Sequence, residues 1–126
     1  DRRAGLEKLI RAEEALGAAV VEKGITKAYL EALAESGRVH RDEHVPMIGR
    51  EPGVSVLDSR RTAVTWKVVE AKVASSADLG YAYGTGEAKR SDGTVEKFSF
   101  LRIWEPDRKQ VWRIVLDVEN PIPEEK

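Results

Sequence analysis

The 126-residue chain contains no cysteine. This absence excludes disulfide bonds, thiol nucleophiles, iron–sulfur clusters and cysteine-ligated zinc sites. Long apolar stretches are missing as well, because the longest run without a charged residue is the eight residues from Leu79 to Gly86. A membrane-spanning helix needs about 20 apolar residues, so we expect no membrane association.

Neither sign of charge is in excess, since 21 Lys and Arg residues face 22 Asp and Glu residues and leave a net charge of −1. Phosphate backbones are bound by basic surfaces, so we expect no nucleic-acid partner. The length predicts a single domain over residues 1–126. The compartment is open between the cytoplasm and export, because the sequence begins with Asp1 rather than Met and an export signal would have been removed.

Several catalytic signatures are also absent from the sequence. It has no Gly-x-Gly-x-x-Gly, no phosphate-binding loop, no Gly-x-Ser-x-Gly and no His-Glu-x-x-His. These motifs cradle nucleotide phosphates, expose a nucleophilic serine or hold zinc. We therefore predict neither a nucleotide cofactor nor serine hydrolase chemistry, and no organic cofactor of any other kind.

The two halves of the sequence differ in composition. Seven of the eight aromatic residues lie between residues 66 and 112, whereas the first half is rich in Ala, Leu, Glu and Lys. This segregation of helix formers from strand formers is typical of an α+β fold. The spacing of apolar residues predicts a helix from Arg3 to Lys23, ended by Gly24, and a second helix from a Thr26 N-cap to about Gly37.

The remaining segments predict mostly strands. A short strand at 38–40 and a short helix from Pro52 to Asp58 come first. The four long strands are expected at residues 62–74, 79–89, 95–104 and 110–118. The alternation of apolar residues changes phase after Val68, which predicts a β-bulge and a curved sheet. The strand from Leu79 carries Gly and Ala on one face, so another element can approach that face closely.

Three segments of the chain resemble one protein superfamily. The helical half has Ala12-Glu13-Glu14-Ala15, Gly24 and Lys27-Ala28-Tyr29-Leu30, as in the SnoaL-like, ketosteroid-isomerase-like branch of the nuclear transport factor two-like superfamily. Residues 76–81 (Ser-Ala-Asp-Leu-Gly-Tyr) resemble its third strand, and residues 112–117 (Trp-Arg-Ile-Val-Leu-Asp) its closing strand. The resemblance implies a cone-shaped, curved antiparallel sheet wrapped around an N-terminal helical hairpin plus a short third helix.

That resemblance also implies a function class. Members of this superfamily have a pocket between the helices and the sheet, and they form homodimers through the sheet. We therefore expect an unidentified small molecule as ligand. If the protein is an enzyme, the expected reaction is cofactor-independent isomerase, cyclase or dehydratase chemistry on an apolar carbonyl compound. The alternative is a non-catalytic dimerisation or accessory module whose pocket is filled by its own side chains, since one fold serves many functions.

Two carboxylates are candidate catalytic bases. Glu13 falls within the apolar stripe of the first helix, so it either lines a cavity or pairs with an Arg or Trp inside. Asp117 matches an acidic position of the resemblance near the end of the last strand. Its alternatives are pairing with Arg113 or ordering the tail. A carboxylate facing an apolar cavity would have a raised pKa and could act as a general acid or base.

The histidine-containing segment at 40–44 has two interpretations. His40, Asp42 and His44 alternate, as two imidazoles and a carboxylate that bind a divalent metal would. Because Arg41 and Glu43 are interleaved with them, we favour a solvated loop without metal. His40 alone is a candidate catalytic residue at the pocket mouth, where it or a tyrosine would polarise the carbonyl oxygen of a substrate.

The aromatic residues of the second half form either a ligand wall or the core. Arg102 lies between aromatic residues and could stack on them, pair with a carboxylate or bind an anionic ligand. The candidate ligand-binding residues are Tyr29, Trp66, Tyr81, Tyr83, Phe100, Arg102 and Trp104. In the accessory-module alternative, Trp66, Tyr83 and Trp104 are core or interface residues.

Overall fold

A computed structural model describes residues 1–57 and 60–123 of the chain. Its helices are α1 (Arg2–Lys23), α2 (Ile25–Ala32) and α3 (Arg50–Ser55). Its strands are β1 (Leu33–His40), β2 (Met47–Ile48), β3 (Arg61–Val73), β4 (Gly80–Arg90), β5 (Val95–Pro106) and β6 (Trp112–Pro121). This α+β architecture confirms the fold class expected from the sequence.

The first helix has the predicted extent, and the second is shorter than predicted. Gly24 ends α1 with a φ of 89°, a value that suits a residue without a Cβ atom. The same glycine, and not Thr26, is the N-cap of α2. α2 ends at Ala32 instead of near Gly37, because Leu33 adopts extended backbone angles and begins β1. The third helix begins at Arg50 and ends at Ser55, so it starts before the predicted Pro52 and ends before the predicted Asp58, a residue outside the described ones.

The six strands form one sheet in the order β2-β1-β6-β5-β4-β3. Neighbouring strands are antiparallel except for β1 and β6, which pair in parallel. This exception arises because β1 leaves the helical hairpin and adds to the strand that closes the meander. The sheet is therefore mixed, and the four strands from β3 to β6 form a consecutive antiparallel meander.

The predicted bulge and the small-residue face are both present in the β3–β4 pair. The register shifts between Val68 and Glu70, at the predicted change of phase. On the inner face of β4, a Cβ atom at Gly80 would collide with Leu9 of α1. Glycine at this position therefore lets α1 pack closely against the sheet. The bulge and the close contact together shape the space between the helices and the sheet.

Candidate functional site

Arg102 occupies the middle of the inner face of β5. Its neighbours on that face are Phe100 and Trp104, because side chains of a strand alternate between its two sides. Across the sheet it is paired with Ala82 of β4 and Asp117 of β6. Only 2% of Arg102 is exposed. The small side chain of Ala82 leaves room for the guanidinium group beneath the helices.

Three polar groups bind this buried guanidinium. Nη1 lies 2.6 Å from Oε1 of Glu13, and Nε lies 2.8 Å from Oδ2 of Asp117. Nη2 donates a hydrogen bond of 3.1 Å to the hydroxyl of Tyr29. Two carboxylates and a phenol, contributed by α1, α2 and β6, thus converge on one cation. Burial would lower the pKa of Arg102, but its three partners keep that pKa well above the usual value.

The guanidinium also lies over aromatic rings. Its central carbon is 4.6 Å from the ring centre of Phe100 and 4.9 Å from that of Trp66. The two rings meet edge to face at 6.4 Å. Cation–π attraction in a desolvated place contributes about 2 kcal/mol or more. Arg102 therefore both stacks on aromatic rings and pairs with carboxylates, two of the three roles that the sequence left open.

Glu13 has hydrogen-bond donors on both carboxylate oxygens. Oε1 accepts from Trp66 Nε1 at 3.1 Å in addition to Arg102, and Oε2 accepts from Trp104 Nε1 at 2.6 Å. Leu9 and Leu16 flank it on the buried side of α1. Glu13 is 4% exposed. The carboxylate thus fixes the orientation of two indole rings and of the central arginine.

Asp117 lies between two arginines and a tyrosine. Arg41 Nη1 is 2.7 Å from Oδ1, and Tyr29 donates its hydroxyl proton to Oδ2 at 2.8 Å. Burial alone would raise the pKa of Asp117, but the charges of Arg41 and Arg102 and the hydrogen bonds from Arg102 and Tyr29 lower it to about 2. Burial raises the pKa of Tyr29, so its hydroxyl remains protonated and able to donate.

From Asp117 the chain of ion pairs continues toward the surface. Arg41 also approaches Glu119, with 3.5 Å between Nε and Oε2, and Glu119 Oε1 lies 2.7 Å from Arg61 Nη2. Arg61 contacts Glu96, which in turn lies 2.7 Å from Arg90. Positive and negative groups alternate along the whole path. We call this set the ionic chain: Glu13, Arg102, Asp117, Arg41, Glu119, Arg61, Glu96 and Arg90.

A cleft of about 440 Å³ lies between α1 and β3, beside this network. Its lining is mostly aliphatic, with the indole of Trp66 and the carboxylates of Glu13 and Glu14 as its larger polar groups. We call it the α1–β3 cleft, and its lining residues are Leu9, Ile10, Glu13, Glu14, Gly17, Val21, Val64, Thr65, Trp66, Val68 and Ala71. Gly17 leaves the cleft open at the helix, since a Cβ atom there would meet only Trp66, at 3.8 Å.

The structure brings seven of the ten predicted site residues together between the helices and the sheet. These are Glu13, Tyr29, Trp66, Phe100, Arg102, Trp104 and Asp117. Among them, Glu13 and Trp66 also line the α1–β3 cleft. Arg113 pairs with Asp107 and not with Asp117, so that alternative for Asp117 is wrong.

The other three predicted site residues lie on the opposite face of the sheet. Tyr81 and Tyr83 alternate with the inward-facing residues of β4, and their rings stack on each other at 6.3 Å. Val39 packs inward against Gly53 of α3, so its neighbour His40 faces outward. The structure thus does not bring these three side chains together with the seven that lie between the helices and the sheet.

Sequence reasoning missed Arg41, Glu119 and Arg61. The solvated-loop interpretation placed Arg41 in water, but its side chain is 9% exposed and bound to Asp117. The acidic residues Asp117 and Glu119, two positions apart on one strand face, were a signal that nearby cations must be buried with them. Within the described ranges, no group of three or more His, Asp or Glu side chains could hold a metal ion.

No helix in residues 1–57 and 60–123 is long and apolar enough to cross a membrane.

No family model and no curated protein matches the sequence. Solved structures do match the fold. A ketosteroid isomerase-like protein from Erwinia carotovora atroseptica superposes with a TM-score of 0.78 and 14% identity, covering 94% of this chain and 97% of that chain.

Two further solved structures carry different functional names. One, from Streptomyces avermitilis, is provisionally named a dehydratase of the nuclear transport factor two-like family; it has a TM-score of 0.73, 11% identity, and coverage of 97% of this chain and 99% of that chain. The other, from Thiobacillus denitrificans, is provisionally named a calcium/calmodulin-dependent protein kinase type II association domain. It has a TM-score of 0.68, 16% identity, and coverage of 89% and 93%. The protein thus has the nuclear transport factor two-like fold that the resemblance implied.

Proposed function

We propose that this protein binds a small apolar molecule in the α1–β3 cleft. The observation that carries the proposal is the indole of Trp66, which forms an aromatic wall in a mostly aliphatic cleft of about 440 Å³. Small-molecule sites commonly have about 300–1,000 Å³ and a mostly apolar lining. Each Å² of apolar surface that ligand and cleft remove from water on binding contributes about 25 cal/mol to the free energy of binding.

Contacts within the protein hold the indole of Trp66 in a fixed orientation. Trp66 Nε1 donates to Glu13, and the guanidinium of Arg102 lies over the indole ring. Arg102 is itself fixed by Glu13 and Asp117. A ligand therefore meets a side chain that has already lost its rotamer freedom, which reduces the entropic cost of binding.

Binding is supported more directly than proton transfer. A general base acts best when its pKa is near the working pH, and the pKa of Asp117 is about 2. Asp117 also has Arg102, Arg41 and Tyr29 on its oxygens. The space around Asp117 is thus occupied by the protein's own side chains, and the α1–β3 cleft lies to one side of it, at β3.

A pair of neighbouring substitutions on α1 tests the proposal. Gly17→Leu places a branched side chain in the cleft against Trp66, whereas Ala18→Leu places the same side chain at an exposed position that does not line the cleft. The probe is N-phenyl-1-naphthylamine, a neutral apolar fluorophore. We expect the native protein and Ala18→Leu to bind it with similar affinity, and Gly17→Leu to bind it at least tenfold more weakly.

Native mass spectrometry of the untreated protein provides a second readout. A reproducible extra organic mass that is absent from Gly17→Leu would support the proposal and identify the ligand class. Equal probe binding by Gly17→Leu and the native protein, with both variants folded by circular dichroism, would refute a ligand site in this cleft.

Proton transfer by Glu13 is a second candidate, favoured by one observation. Glu13 lines the cleft, so it is the predicted catalytic carboxylate that a bound carbonyl compound could reach. The test is deuterium incorporation at the α-carbon of 2-tetralone in heavy water. Catalysis requires exchange faster than in buffer and its loss in Glu13→Gln, with fluorescent probe binding retained. Exchange at the buffer rate with the native protein would exclude this role for the tested ketone.

We also propose pairing of two copies through the outer face of the sheet. Tyr83 is 40% exposed on this face, and it is stacked on Tyr81 beside the partly exposed Leu101 and Ile103. Light scattering after size exclusion tests this. We expect a dimer for the native protein and for Val111→Lys, an exposed apolar position preceding β6, and a monomer for Tyr83→Lys. A native monomer would refute the pairing.

A further inference from the structure

A second cavity, of about 190 Å³, lies at the outer end of the ionic chain. Charged side chains make up most of its wall, and among the described residues none lines both this cavity and the α1–β3 cleft. We call it the arginine cavity, and its lining residues are Arg41, Asp42, Glu43, His44, Val56, Arg60, Arg61, Arg90, Glu96, Glu119 and Pro121. Its volume is several times that of one water molecule, which occupies about 30 Å³.

Two arginines of this wall have hydrogen-bonding capacity left over. Nη2 of Arg41 and Nε of Arg61 are buried atoms without a hydrogen-bond partner. The side chain of each arginine is 9% exposed. A guanidinium group carries five N–H donors, and a buried donor without an acceptor is unfavourable. These two unpaired donors are therefore an observation independent of the cavity itself.

Two carboxylates of the wall, Glu119 and Glu96, are each already engaged by two arginines. Glu119 lies between Arg41 and Arg61, and Glu96 lies between Arg61 and Arg90. Among the described residues that line the cavity, the buried atoms without a hydrogen-bond partner are both donors; Asp117 Oδ1, which also lacks one, lies behind the wall, 2.7 Å from Arg41 Nη1. A ligand that forms hydrogen bonds with these two donors must therefore carry acceptor atoms, as a carboxylate or phosphate group does.

We propose that the arginine cavity binds a small oxyanion of the carboxylate or phosphate type through Arg41 and Arg61. The planar guanidinium fork matches the paired oxygens of such anions. Asp42 and Glu43 at the exposed part of the wall oppose the anion through charges that water and salt screen. Because the ionic chain is neutral as a whole, the ligand is held by the local donors of Arg41 and Arg61.

The test observes the arginine groups directly. Two-dimensional ¹⁵N NMR resolves arginine Nε–Hε signals, which are assigned with Arg41→Lys, Arg61→Lys and Arg113→Lys. The native protein is titrated with sodium phosphate, sodium acetate or sodium chloride at constant ionic strength and pH. We expect a saturating shift of the Arg61 Nε–Hε signal with at least one of the two oxyanions, and no saturating shift with chloride.

Thermal denaturation gives a readout that does not depend on assignment. We expect the binding oxyanion to raise the melting temperature of the native protein and of Arg113→Lys, whose side chain pairs with Asp107 outside the cavity, above the value in chloride. Arg61→Lys should lose this increment. Saturation with acetate alone would identify a carboxylate ligand, saturation with phosphate alone a phosphate ligand, and saturation with both the shared chemistry. Identical responses to all three salts would overturn the proposal, even if Arg61→Lys does not fold.

Discussion

Arg102 and Glu13 are joined by a contact of 2.6 Å between Nη1 and Oε1 that ties the middle of β5 to the middle of α1. Both side chains are at most 4% exposed. In an environment without water, removing either partner leaves a buried charge that its remaining hydrogen bonds compensate only in part. The contact therefore makes the position of α1 over the sheet depend on the polar interior.

Removal of the arginine charge should be severely destabilising. We expect Arg102→Met to lower the free energy of unfolding by about 3–5 kcal/mol, because the carboxylates of Glu13 and Asp117 remain buried without their common cation. The control is Lys23→Met, which breaks an exposed pair with Glu31 and should cost far less, because water and salt screen that pair. Urea denaturation measures both values, and equal losses would contradict the interpretation.

The same pair should also show coupling. In Glu13→Gln/Arg102→Met, the second substitution removes a charge that the first has already left without its partner. We expect the double variant to be more stable than the sum of the single losses predicts, by about 1–3 kcal/mol. A double-mutant cycle in urea measures this value. Strict additivity would mean that the two side chains do not stabilise each other.

Stability should fall steeply at acid pH. The pKa of Asp117 is lowered from 3.8 to about 2 in the folded protein. Its contribution is therefore fully present above about pH 5 and is lost as the pH falls through 4 toward 2, amounting to about 2 kcal/mol. Asp117→Asn should be less stable at pH 7 and should show a shallower decline. Urea denaturation between pH 7 and pH 3 measures both profiles, and parallel profiles would contradict the assignment.

More of the fold than of the candidate site could be predicted from the sequence. The helical hairpin, the bulge after Val68 and the small-residue face of β4 follow from local periodicity, which a sequence displays directly. The inward direction of Asp117 does not, because β6 has an extra residue, Val115, between its pairings with Trp104 and Ile103 of β5. Ile114 and Asp117 therefore both face inward, although strict alternation would separate them.

Local sequence patterns also did not predict the partners of the buried charges. Glu13 was placed correctly on the apolar side of its helix, but its three donors come from β3 and β5. Arg41 follows a strand in a charged segment that resembles a surface loop, and only the parallel pairing of β1 with β6 brings it to Asp117. These contacts depend on how strands that are distant in the sequence are paired.

Two glycines should respond to substitution in opposite ways. Gly17 lies within α1, where a Cβ atom has ordinary contact distance to Trp66. We expect Gly17→Ala to stabilise the protein by about 0.5–1 kcal/mol, since glycine is a poor helix former. Ala18→Gly on the exposed face should destabilise by a similar amount. Thermal denaturation distinguishes them, and a loss of stability in Gly17→Ala would mean that the helix has no room there.

Gly86 of β4 is the opposite case. A Cβ atom there would collide with the ring of Phe98 and lie 2.6 Å from the carbonyl oxygen of Thr65. We expect Gly86→Ala to lower the free energy of unfolding by about 1–3 kcal/mol, because ring and backbone must both shift. Thr85→Ala, on the exposed face next to it, should change stability by less than about 0.5 kcal/mol. Equal stability of Gly86→Ala and the native protein would contradict the close packing.

The ionic chain also constrains the order in which the molecule assembles. Glu13 and Arg102 are 89 residues apart, and Tyr29 and Asp117 are 88 apart. Contacts between such distant segments form only after the loop between them has closed, so they are expected late on the folding path. Loss of a late contact mainly accelerates unfolding and leaves the folding rate almost unchanged. We therefore expect the polar interior mainly to slow the unfolding of the completed fold.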